Sequence, residues 1–353
     1  MFLFILLVIL LALIGIKFQK KDETNSFMSR ENTLSIIGIF TILIFLTHIR
    51  QALNITYQTT SNWLDKLGSF SLGLFGEQVV APFLFYSGFG IALSFATKKD
   101  YLNHFVFLRI LKIILCFLFI VFFSLIVKDT IYLDFSNFGK ECLSLFSLIK
   151  ENWYIHAILI CYTISFVIYL INHFVKKDSF VIITSALAGI LLYIFCYFFL
   201  PFYRLCILCY FFGSLFFYVL PYFKNKLDVS KKLRILSLVS VLFIYIVSRL
   251  ACYLFHYEGI GYLISYQICN FGLCFSIVMI TYFISIKNKA LVFIGKNTIF
   301  IYLLLGLVNI VIAKINVSTI LNNSILYTLV AILLLGALTL AFSYSYNFLW
   351  SKI

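Results

Sequence analysis

The sequence predicts an all-α fold, a polytopic transmembrane helix bundle of about 10–11 spanning helices, and three observations carry that prediction. The first is composition. Of the 353 residues, 63% are hydrophobic, 19% aromatic and only 11% charged, with a mean hydropathy of +1.07. A soluble domain is roughly 45–50% apolar and about 25% charged. The second is segmentation. Apolar runs able to cross about 30 Å of hydrocarbon fall at 1–18, 33–50, 71–96, 107–127, 153–174, 179–200, 202–222, 233–255, 262–286, 291–313 and 324–350. They are continuous rather than alternating, which excludes barrel strands, and inside lipid only a helix satisfies its own backbone.

The third observation is charge asymmetry. With Lys17, Lys20, Lys21 and Arg30 in the cytosol and the chain alternating sides, 19 of the 27 basic residues collect on the inner side. The outer side keeps eight: Arg50, Lys66, Lys128, Lys140, Lys150, Arg204, Arg249 and Lys314. That is the positive-inside pattern of a multi-pass cell-membrane protein, with the N-terminus outside and the C-terminus cytosolic. The net charge of +14 then addresses the anionic headgroups of membrane lipids, and nothing in it calls for nucleic acid.

Taken in order, the segments differ in what they carry. Residues 1–18 have no basic n-region and no small-residue cleavage site, so they read as a helix rather than a signal peptide. With a short basic linker they make up region 1–29, ahead of a main domain over 30–353. The run 33–50 ends in His48 and Arg50. In 71–96, Pro82 removes a backbone donor and frees the Gln78 carbonyl, which predicts a kink or an unwound turn. Gly88 and Gly90 in the same run let another backbone come close. The run 107–127 follows Lys98, Lys99 and His104 and holds Arg109 and Lys112. The run 153–174 opens on Trp153-Tyr154-Ile155-His156, and Pro201 separates 179–200 from 202–222. Of the remaining runs, 233–255 carries Arg249 near its outer end. Cys206 and Cys209 form a C-x-x-C on an apolar segment without partner histidines, which reads as core filler and not a metal site.

Polar groups inside a membrane are costly and therefore candidates for function. His48 ends an otherwise apolar run; it is either an interfacial histidine or a general base able to accept a hydroxyl proton near neutral pH. Arg109 sits among apolar residues, where a guanidinium suits a phosphate-bearing ligand. Arg204, Arg249, His256 and Glu258 fall at outer ends and make a polar, outward-facing cup if they converge with His48; Arg50, Glu77, Tyr86, Trp153, Tyr154 and His156 are further candidates for the acceptor side. For Trp153 and Tyr154 the simpler alternative is an interfacial aromatic belt.

Four segments, in order, give these residues a context: Gly38-Ile39 leading to His48, Phe83-Leu84-Phe85-Tyr86-Ser87-Gly88-Phe89 with Phe107-Leu108-Arg109, Asn152-Trp153-Tyr154-Ile155 with Ala157-Ile158-Leu159, and Ile294-Gly295-Lys296-Asn297-Thr298-Ile299-Phe300-Ile301-Tyr302-Leu303. Across about 30–310 the chain resembles acyltransferase family 3, integral-membrane enzymes that move acyl groups, often acetyl, onto extracytoplasmic carbohydrate. The resemblance implies a core of ten helices with the first segment additional. It implies acyl-CoA, acetyl-CoA above all, as co-substrate, with no resident cofactor or metal, and a surface or lipid-linked saccharide as acceptor. His48 and Ser87 would be catalytic, with Ser87 positioning the acyl carbonyl, and Arg30, Arg109 and Lys112 would meet the donor. The chain departs from the family twice. A basic residue is expected eleven positions before the histidine, where Ile37 stands, and a histidine is expected where Leu304 and Leu305 stand. Arg30, seven residues before Ile37 on nearly the same helix face, is the candidate substitute. Two other readings stay open: a transporter or flippase for polysaccharide or its lipid-linked precursor, and a non-catalytic relative.

Overall fold

The computed structural model describes residues 2–19, 27–53, 63–132, 139–140, 153–255, 258–315 and 324–350. Helix α1 (Phe2–Ile14) runs into strand β1 (Ile16–Phe18), and α2 (Arg30–Ala52) is capped by the Ser29 hydroxyl on the Asn32 amide. Then come α3 (Trp63–Phe75), a 3-10 turn (Gly76–Val80), α4 (Ala81–Thr97), α5 (Tyr101–Phe105), a π-helical turn (Val106–Leu111) and α6 (Lys112–Tyr132). The second half holds α7 (Trp153–Val175), α8 (Asp178–Phe199), a turn at Tyr203–Leu205, α9 (Leu208–Val229), α10 (Lys231–Leu254) and α11 (Gly259–Phe283). It closes with β2 (Ile284–Ile286), α12 (Lys289–Lys296), α13 (Thr298–Ile315) and α14 (Ser324–Trp350). Among the described residues nine helical stretches are long and apolar enough to cross a membrane, and α12 with α13, bent by 75°, make a tenth.

Four of the expected runs take a different form, one of them 262–286, whose last three residues form β2. Residues 1–18 are not one helix. Thirteen residues of α1 extend about 20 Å, and the chain then turns into β1, whose Ile16, Lys17 and Phe18 pair antiparallel with Ile286, Ser285 and Ile284. The run 71–96 is two helices meeting at the 3-10 turn. Pro82 falls in the first turn of α4, where its missing N–H would have had no partner anyway. The run 291–313 breaks at Asn297, whose side-chain amide donates to the Phe293 carbonyl at 2.9 Å. The cut at Pro201 holds, with a turn between α8 and α9.

Two helix crossings organise the interior, and both are built from reciprocal glycines. A Cβ on Gly38 of α2 would lie 2.2 Å from the Leu291 carbonyl oxygen, and one on Gly295 of α12 would lie 2.0 Å from that of Leu34. Likewise Gly88 of α4 faces the Tyr210 carbonyl and Gly213 of α9 faces that of Phe85, each at 1.9 Å. Only a residue without Cβ lets two backbones meet so closely. The ribbon is fastened by Asn32, fully buried, whose amide donates to the Phe27 carbonyl at 2.7 Å and accepts from the Ile286 N–H at 2.8 Å.

Candidate active site

The crossing of α2 with α12 sets up the centre of the molecule. One turn beyond Gly38 and Gly295, the hydroxyls of Thr41 and Thr298 meet at 2.8 Å. They border a cavity of about 20 Å³, room for about one water. Ile44 and Phe45 of α2, Val80 before α4, Phe83 of α4, Tyr154 of α7 and Ile301, Tyr302 and Leu305 of α13 complete its wall. Tyr154 stands edge-on to Phe83 and Tyr302, with ring centroids 6.1 and 5.6 Å away. All four segments singled out in the sequence therefore meet at one chamber. His48 continues the same face of α2, four residues past Ile44 and so about 6 Å further along the axis. It is exposed, beside the Gln51 side chain.

The crossing of α4 with α9 sets up a second polar group on the side of the chamber away from His48. Arg109 lies in the π-helical turn, a local irregularity frequent at functional sites. Its Nε donates to the Tyr101 hydroxyl at 2.8 Å, and the guanidinium also faces Tyr162 and Tyr210. Ser87 lies beside Tyr162, and the Ser165 and Tyr210 hydroxyls are 2.8 Å apart. A half-buried cation thus sits among phenols with no carboxylate on it among the described residues. Such a charge is expensive in a membrane, and an anionic ligand would offset that cost. Lys112, one turn on, places its amine 5.9 Å from the Tyr346 ring centroid and within electrostatic reach of Arg109. Below Tyr101 a cavity of about 590 Å³ opens between the α4–α5 and α7–α8 turns, lined by Lys98, Asn103, Asn172 and His173. Phe95 and Tyr169, stacked 3.9 Å apart, form one of its walls.

A family profile described as an acyltransferase domain matches residues 35–347. The chain is a member of acyltransferase family 3. Comparison with curated proteins and with solved structures gives no match.

The acyltransferase family 3 chain does not gather every candidate at one place. Arg30 is exposed in the first turn of α2, about 27 Å of helix from His48, and lies before the matched residues. Ile37 is half-buried against the larger core cluster. Arg50 donates from Nη1 to the Ser69 carbonyl at 3.2 Å, tying α2 to α3. Tyr86 is buried beside Cys274, with its hydroxyl unpartnered among the described residues. Trp153 packs edge-on against Tyr154 and Tyr203, and His156 against Phe117. Arg204 lies over the Tyr197 ring at 5.3 Å, while Arg249 neighbours Tyr245, Cys252 and Cys269. Glu77 belongs to the 3-10 turn; its side chain, with Asn152 and His256, lies outside the described residues.

Sequence reasoning passed over Thr41, Thr298, Tyr101, Tyr162 and Tyr210. Thr41 had a usable signal, since it precedes His48 by seven residues and so shares its helix face. The tyrosines had none, because a chain with 23 of them does not mark the few that meet a cation.

Proposed function

We propose that this acyltransferase moves an acyl group, acetyl at the least, from cytosolic acyl-CoA to a hydroxyl of a surface or lipid-linked saccharide on the outer side of the cell membrane. One observation carries the reading: the chamber shared by the four matched segments lies between a phenol-lined cation on one side and His48 on the other. The donor's phosphates would sit by Arg109 and Lys112 above the 590 Å³ cavity, where charge-assisted contacts are strong. Its thioester would enter the chamber beside Ser87 and the Thr41–Thr298 pair. The His48 imidazole takes the proton of the acceptor hydroxyl, the oxygen attacks the thioester carbonyl, and the C–S bond breaks. The thiolate leaves with the proton returned from the imidazolium. Ser87 positions the carbonyl rather than carrying the acyl group, because its neighbour is a phenol and not a base.

Arg109→Ala is expected to weaken acyl-CoA binding about 10–150-fold, the equivalent of losing a charge-assisted contact of about 1.5–3 kcal/mol. Arg30→Ala is expected to weaken it as well, and Ile37→Arg to restore part of the loss from the same helix face. Titration of purified protein with acyl-CoA decides both. Unchanged affinity in Arg109→Ala would remove the donor site from this place, and unchanged affinity in Arg30→Ala would leave Arg30 an anchor of the helix end.

The orientation is part of the proposal. The ribbon sets Lys17 opposite Ser285, two residues from Lys287, in keeping with a common cytosolic side for both lysines. Cysteines introduced at Asp100 and Val229 are expected to react only with reagents that reach the cytosol, and one at Glu258 with impermeant reagents from outside. Labelling of position 229 from outside would invert the scheme.

A further inference from the structure

The hydroxyls around the chamber fall into two groups. Those of Thr41, Thr298 and Ser87 are already committed. Thr41 donates to the Ile37 carbonyl at 2.8 Å and Thr298 to that of Gly295 at 3.1 Å, while Ser87 is hydrogen-bonded to Tyr162. The second group is Tyr154 of α7 and Tyr302 of α13, whose rings form part of the chamber wall. Neither phenol has a hydrogen-bond partner among the described residues; their contacts are ring packing and electrostatics alone. Both sit deep in the bundle yet are only half-buried, so their free surface opens on an interior space.

The two rings are held in place. Tyr154 is packed edge-on by Phe83 and Trp153, and its centroid is 5.6 Å from that of Tyr302. Its hydroxyl is within electrostatic reach of those of Tyr302 and Tyr162, and Tyr162 adjoins Ser87. An O–H kept in apolar surroundings without a partner costs stability, and phenylalanine would fill the same space without that cost. Two fixed, uncommitted donors beside the path of the thioester have the form of a preorganised site for negative charge.

We propose that Tyr154 and Tyr302 form the oxyanion hole of the transfer step, which rests on the acyl-CoA reading above and moves Tyr154 from the acceptor side to the reacting carbonyl. Ser87 positions the incoming carbonyl, and the phenols meet the charge that develops only as it is attacked. When the acceptor oxygen adds to the carbon, the π pair of the C=O bond moves onto the carbonyl oxygen, where both O–H groups point. When the C–S bond breaks, that pair re-forms the C=O bond and the thiolate takes the proton held by the imidazolium. The phenols keep their own protons throughout.

Tyr154→Phe and Tyr302→Phe are each expected to lower turnover about 10²–10³-fold, the usual loss for one oxyanion donor. Acyl-CoA affinity should fall at most about fivefold, as for one neutral hydrogen bond. Each variant removes a hydroxyl that holds nothing in the protein, so its unfolding midpoint should stay at or above the parent's. A spectroscopic check uses acetyl-CoA labelled at the thioester carbonyl and bound to full-length protein in nanodiscs. Its infrared carbonyl stretch is expected at higher frequency in each variant than in the parent, because a donor to the oxygen is gone. Lost turnover with an unmoved stretch, or with a lowered midpoint, assigns the phenols to packing and overturns the proposal. Undiminished turnover in either variant overturns it too. In these cases the parent still binds and uses acyl-CoA, so the donor reading stands; a parent that binds no acyl-CoA overturns both.

Discussion

His48→Ala is expected to insert and fold as the parent does and to lose acyl transfer by about 10²–10⁴-fold, the usual effect of removing a proton-transfer group. Folding is spared because His48 is exposed near the end of α2, so truncating it opens no cavity and orphans no buried partner. Donor affinity is spared because the Arg109 group lies on the other side of the chamber. The loss therefore falls on turnover and not on acyl-CoA binding. Transfer of labelled acyl groups to membrane saccharide, measured beside acyl-CoA titration, separates the two. Undiminished transfer would return His48 to the role of an interfacial histidine.

Gly88→Ala is expected to destabilise the fold by about 3 kcal/mol, the upper part of the range for overpacking, and to weaken donor binding with it. The new Cβ would stand 1.9 Å from the Tyr210 carbonyl oxygen. Neither side of that contact is a side chain that can swing away, so α4 and α9 must part. Parting them moves Tyr210 relative to Tyr162, Ser87 and Arg109, which is why binding follows stability. Gly90, two residues on, supplies the control. A Cβ there meets nothing within 4 Å, and alanine gains about 1 kcal/mol of helix propensity over glycine. Unfolding midpoints of the two purified variants should move in opposite directions; coincident midpoints would mean that the crossing tolerates expansion.

The bundle was legible because bilayer thickness and backbone satisfaction leave a sequence few ways to cross a membrane. The last run, 324–350, coincides with α14. The departures arose where another element competes with the simple helix. Nothing in Ile16-Lys17-Phe18 announces a strand whose partner is Ile284–Ile286, almost at the other end of the chain. The bend between α12 and α13 is set by Gly295 against Leu34 and by the Asn297 side chain, contacts with no counterpart in hydropathy. The site was half legible for the same reason. His48, Ser87 and Arg109 stand out as polar residues in apolar surroundings, and Tyr154 stands out by motif. Which of them meet depends on the two glycine crossings, and of their four residues only Gly38 and Gly295 belong to segments whose partner could be guessed from the resemblance.

The ribbon between Ile16–Phe18 and Ile284–Ile286 also dictates a timetable for biogenesis. Ribosomes add about 5–20 residues per second, so β1 exists for roughly 15–50 s before its partner has been made. Throughout that interval α1 has only α2 and α3 to pack against, since the later helices that meet it are not yet made. Its sequence suits the wait, since Phe2–Ile14 contains no polar side chain at all and a helix satisfies its own backbone in lipid. The N-terminal helix can thus dock on α2 and α3 long before the strand that follows it is paired. A tag or fusion that holds β1 away should leave an otherwise folded protein with Ile284–Ile286 unpaired.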